Sequence, residues 1–229
     1  MRKQDFLGMT SVRSKAIVAL AALAAAGCTN LNRPVVPPVP IAATPTKTEV
    51  WQGIANPADR ERIANVSGAW AAGLSDARRN FATAIRDEGV LLREDAADIR
   101  PAPTPGSYSC RLISLGAATK GKPALERFKP FFCYVQTEGE VLTIVKQTGS
   151  QRPAGRLWDD DNSRRMIFLG SLALGNEDEV RAYGDDPRRD MAGIFERIAP
   201  FRWRLVIPWP RDGSKLHVFE LTPVPEQPK

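Results

Sequence analysis

The sequence predicts an α+β fold: an N-terminal helical segment packed on an antiparallel, barrel-like sheet of about eight strands. Three observations carry this. Up to residue 92, apolar residues recur every three or four positions. Pro101, Pro103 and Pro105 then end the helical regime. From Tyr108 onward the apolar period is two, and turn signals separate the short runs.

The chain divides into residues 1–27, 28–48, 49–104 and 105–225. The first segment reads as an export signal. Arg13 and Lys15 precede the eleven apolar residues Ala16 to Ala26, and Gly27 and Cys28 follow. The apolar run is shorter than the roughly 20 residues a membrane-spanning helix needs. Met9 lies just upstream, so translation starts at Met1 or Met9. Ala25-Ala26-Gly27-Cys28 resembles the lipobox of bacterial lipoproteins. The resemblance implies a diacylglyceryl group on the Cys28 thiol and cleavage before it. Thr29 in place of aspartate implies the outer membrane, with the protein facing the periplasm. The alternative is a plain secretory signal and a soluble periplasmic protein.

Removing residues 1–27 takes away four basic side chains and one acidic one. The formal charge falls from +6 to +3, with 28 basic and 25 acidic groups left. Half of the apparent basicity is the signal's, so no nucleic-acid partner is expected. Residues 29–48 carry five prolines and no aromatic residue. They form an extended tether of up to roughly 60 Å, at about 3.1 Å per residue.

Residues 57–92 read as one helix or two. Asn56 is a cap, Pro57 suits the first helical position, and Asp59 and Glu61 complement the first turn. Ile63, Val66, Trp70, Leu74, Ala77, Phe81 and Ile85 form one apolar stripe, expected to pack on the sheet.

Tyr108, Cys110 and Leu112 begin the strands. Phe131, Cys133 and Val135 alternate next, followed by residues 141–146, 151–158, 166–173, 194–198, 201–207 and 216–221. Glu138-Gly139 and Asp212-Gly213 mark turns. Cys110 and Cys133 lie on two early strands. In an oxidising compartment such a pair predicts a disulfide.

Several patterns imitate functional sites. Residues 116–123 have Walker spacing, but Pro123 stands where the magnesium-binding hydroxyl belongs. Asp159 to Asn162 lack the glycine and glutamate of a calcium loop and read as a turn. Neither a metal nor another cofactor is expected. His217 is the single histidine. A hydrolase would pair it with a serine, Ser150 or Ser171, yet neither lies in a nucleophile elbow. Arg152 suits bidentate anion binding. Arg202 and Arg204 flank Trp203 and share a face, either a solvated one or a ligand or partner surface.

Tyr108-Ser109-Cys110-Arg111, residues 146–152, residues 168–175 and Arg202-Trp203-Arg204-Leu205-Val206 together resemble the domain-of-unknown-function family 4893 of proteobacterial envelope proteins. The resemblance runs from about Ala58 to Val224. It implies an exported protein and supplies no catalytic residues. The predicted sheet is similar in shape, not function, to a calycin or lipocalin barrel. The resulting expectation is a non-enzymatic, lipid-anchored envelope module that binds a hydrophobic or anionic ligand or an envelope protein. The alternative is an envelope hydrolase using His217 with a serine.

Overall fold

The structure, a computed structural model, describes residues 43–146, 151–175, 177 and 180–224. The export signal, Cys28 and most of the tether lie outside the described residues. Three helices come first: α1 (Lys47–Ile54), α2 (Pro57–Ala64) and α3 (Val66–Asp87). Short 3-10 turns follow at Gly89–Leu92 and Glu94–Ala96. None of the described helices is long and apolar enough to cross a membrane.

α1 starts inside the stretch expected to be tether, because Thr46 and Glu49 form a reciprocal capping box. Asn56 caps α2 through the backbone N–H of Asp59, and Pro57 occupies its first position. α3 carries the predicted stripe. Ala69, Trp70, Leu74 and Ala77 are buried, and the helix kinks at Phe81 (φ −128°, ψ 25°).

Nine strands follow: β1 (Gly106–Leu115), β2 (Leu125–Arg127), β3 (Phe131–Glu138), β4 (Val141–Lys146), β5 (Gln151–Asp159), β6 (Met166–Leu174), β7 (Asp190–Ala199), β8 (Arg202–Pro208) and β9 (Leu216–Pro223). All pairings are antiparallel. β1 pairs with both β3 and β9, so eight strands close into a ring and leave no edge. β2 is an addition. It pairs with the far half of β1, in line with β3 and separated from it by Phe128, Lys129 and Pro130. This offset leaves an irregular rim there.

Alternation along each strand feeds two cores. Tyr108, Cys110, Cys133, Val135, Ile144, Phe168, Phe195, Trp203, Leu205 and Leu221 fill the interior. Ile113, Leu115, Ile167, Leu169, Ile194, Val206 and Val218 point outward and pack against Trp51, Ile63, Trp70 and Leu74. Strands buried on both faces read as continuous apolar runs, as in Met166–Leu169. Gly155 and Gly170 face one another at the interior. A Cβ on Gly170 would lie 2.3 Å from the Ala154 carbonyl oxygen and 2.6 Å from the Phe168 ring. Only glycine lets these strands approach so closely.

Cys110 and Cys133 are joined in a disulfide, with Cα atoms 6.1 Å apart. Asp160 docks α1 on the turn between β5 and β6. It accepts from Trp51 Nε1 (3.1 Å) and Thr48 Oγ1 (2.6 Å), and pairs with Arg165. The aspartate run is therefore a structural turn that grips a helix. Burial opposes ionisation of Asp160, but bonds from Thr48, Arg165 and Trp51 outweigh it and hold its pKa below the ordinary value.

Candidate functional site

The two ends of the barrel differ. One end is closed by short turns: Gly139 at φ +61° between β3 and β4, residues 160–165, and residues 200–201. Three connections at the other end, residues 116–124, 175–189 and 209–215, are longer. That end holds a cup of about 560 Å3, within the ~300–1,000 Å3 range of small-molecule sites.

The inner wall of the cup is apolar. Leu112, Phe131, Leu172, Met191, Ile207 and Phe219 come from six strands and point inward. Phe131 and Phe219 meet edge to face at 6.4 Å. Below them lies a void of about 20 Å3, walled in part by the disulfide. The same Phe131, Phe219, Pro153 and Lys146 border both spaces, so they form the floor of the cup.

The rim is cationic. Arg62, Lys129, Arg188, Arg189 and Arg211 line it, against Asp190 and Asp212. Some of these cations already have partners. Arg62 pairs with Asp59, Arg188 with Asp186, and Arg189 with Glu177 and Asp186. Asp190 is buried, which raises its pKa, while the N–H of Gly184 opposes the rise.

Lys146 ends β4, two residues beyond the inward-facing Ile144. Its Nζ sits 4.3 Å from the centre of the Phe131 ring, a cation–π contact. Burial lowers its pKa. Among the described residues no carboxylate pairs with it.

His217 lines the rim, with Nε2 2.9 Å from Asp212 Oδ2. Asp212 also accepts from the Ser214 hydroxyl at 2.7 Å. The His217 bond, more than the opposing effect of burial, holds the Asp212 pKa well below the carboxylate range. Of the serines proposed for a hydrolase, Ser150 lies outside the described residues. Ser171 is buried on β6 with no partner for its hydroxyl. It alternates with the inward-facing Leu172, so it lies on the opposite side of the wall from His217. The serine directly across from His217 is Ser114, on β1. Among the described residues no group of three or more His, Cys, Asp or Glu is placed to hold a metal.

The three arginines singled out in the sequence do not form one surface. Arg204 is fully buried on the outer face of β8. Its Nε donates to Glu196 at 2.7 Å, and its Nη atoms donate to the carbonyls of Leu91, Arg93 and Glu94. Its guanidinium also lies 4.9 Å from the Trp70 ring centre. The expected ligand face is thus sealed under the helical segment. Arg202 pairs with Glu220, which also binds Arg111; Arg111 and Arg127 both bind Glu88. Arg152 lies on another strand, where its guanidinium donates to the Glu177 carbonyl. None of the three lines the cup. Apart from His217, which lines the rim, the cup's residues were not singled out as site residues in the sequence, although the apolar strand ending in Lys146 was a usable signal.

No curated protein and no solved structure matches the chain. A family model, a domain of unknown function (DUF4893), matches residues 51–221, which takes in part of α1, all of α2 and α3, eight whole strands and most of β9. The chain is a member of the DUF4893 family.

Proposed function

We propose that the barrel is a non-enzymatic binding module that holds one small amphiphilic ligand in its cup. The observation that supports this is the cup itself: an open, mostly apolar cavity of about 560 Å3 with a cationic rim. Burying an acyl chain there would contribute about 0.8 kcal/mol per methylene. The module would act in the envelope. Cys28 would carry the lipid anchor at the outer membrane, and the proline-rich tether would let the cup reach ligands near the membrane or an envelope protein. The disulfide is compatible with such an exported protein.

Native mass spectrometry of protein extracted from its own membranes tests the reading. A co-purifying small amphiphile at one per chain is expected. Repeatedly clean apo protein that also takes up no added amphiphile would refute it. Acylation that is sensitive to globomycin and lost in Cys28→Ser tests the anchor separately.

A further inference from the structure

The polar groups around the cup differ in how much they can contribute to binding. Lys129 and Arg211 stand in solvent at the rim, where an ion pair is worth roughly 0–1 kcal/mol. Arg62, Arg188 and Arg189 already face carboxylates. The two acids of the rim are also engaged: Asp190 accepts from Gly184, and Asp212 is held by His217 and Ser214. Lys146 alone sits at the floor, against Phe131 and beside Phe219 and Pro153, with no carboxylate among the described residues to pair with it. The four residues after it, Gln147 to Ser150, carry no acid either. An ammonium in such a place has lost water without gaining an anion from the described residues. A ligand anion beside it would interact in a low-dielectric site, where Coulomb attraction is several times stronger than at the rim.

We propose that Lys146 is the headgroup contact of the cup. The ligand is then a single-chain amphiphile with a compact anionic head, a carboxylate or a phosphate monoester, bound head-down on the floor. This rests on the reading of the cup as a ligand site. A lysine is a compact point charge without the planar fork of arginine, so it accepts either head. The chain runs from the floor toward the rim along Leu112, Leu172, Met191 and Ile207.

Delipidated protein is titrated with dodecanoate, dodecyl phosphate and dodecanol by calorimetry. Wild type is expected to bind at least one of the two anions about tenfold or more tightly than the alcohol. Lys146→Met is expected to lose that advantage while binding dodecanol as well as before or better. Lys146→Arg is expected to keep it. The stronger of the two anions identifies the head. Equal affinity of wild type for all three ligands overturns the head-down assignment and leaves the cup intact. This comparison needs no variant, so it holds even if a substitution misfolds. Unchanged anion preference in Lys146→Met overturns the assignment too. If none of the three binds wild type, the cup reading itself fails.

Discussion

Replacing Arg204 by methionine is the sharpest test of how the helical segment is held to the barrel. The substitution keeps an unbranched apolar stem over Trp70 and removes the charge. Glu196, also buried, is then left without its partner. Breaking a buried pair from one side costs about 3–5 kcal/mol. The carbonyls of Leu91, Arg93 and Glu94 lose their donor as well. A buried unsatisfied carbonyl adds about 1 kcal/mol or more, and water reaches those of the outer two in part. The total is about 4–6 kcal/mol, or roughly 10–20 °C in Tm for a domain of this size. Burial already raises the Glu196 pKa against the pull of Arg204. A raised folded-state pKa gives stability below the unfolded value, about 4.3, that is lost as pH rises through the folded value. Without Arg204 that loss extends to higher pH, so the variant should be less impaired at pH 5 than at pH 7.5. Denaturant melts of wild type, Arg204→Met and Arg204→Met/Glu196→Gln complete the cycle. The double variant should recover about 2 kcal/mol or more of the loss, because no buried charge remains. A single-variant loss under about 1 kcal/mol, or a double variant as unstable as the sum of its singles, would refute the reasoning.

Three further outcomes follow from the same structure. Cys110→Ser/Cys133→Ser opens a cross-link spanning 23 residues and should cost about 3 kcal/mol; thermal melts with and without reductant check it, and coincident melts would contradict it. Asp160→Asn should flatten the acid limb of the stability–pH curve measured by denaturant melts. The carboxyl pKa is lowered on folding, so its contribution is present above about 3.9 and lost as pH falls through the lower folded value; an unchanged limb would count against the Asp160 hub. Gly170→Ala places a methyl against the Ala154 carbonyl and the Phe168 ring and should cost about 1–3 kcal/mol or more from overpacking, read in the same melts; a neutral result would show that the strands can part there.

The barrel was legible because period-two alternation survives wherever a strand separates two environments. Trp203 and Leu205 read as one face, and they do share the interior. What covers the other face was not legible. An arginine on a strand is solvated by default, and nothing local to Arg204 says that a distant helix lies over it. Glu196, an acid in the apolar run of β7 directly opposite Arg204, was the available hint. α1 was hidden by the prolines before it, although Thr46 and Glu49 spell a capping box. β2 has three residues, too few to show a period. The cup stayed hidden because its rim joins residues 62, 129, 188–190 and 211–212, which only the closed ring brings together. The pairing of Cys110 with Cys133 was legible, since the leading segment read as an export signal and position left these two as partners.

A single titration tests most directly whether the cup is a binding site. Met191 points into the cup from β7, so tryptophan at that position should narrow it without touching the outer core. Delipidated wild type titrated by calorimetry with dodecanoate or dodecyl phosphate should show saturable binding of one molecule per chain, with a negative heat-capacity change from apolar burial. Met191→Trp should weaken that binding at an unchanged Tm. Binding that does not saturate, or whose affinity Met191→Trp leaves unchanged, would contradict the account.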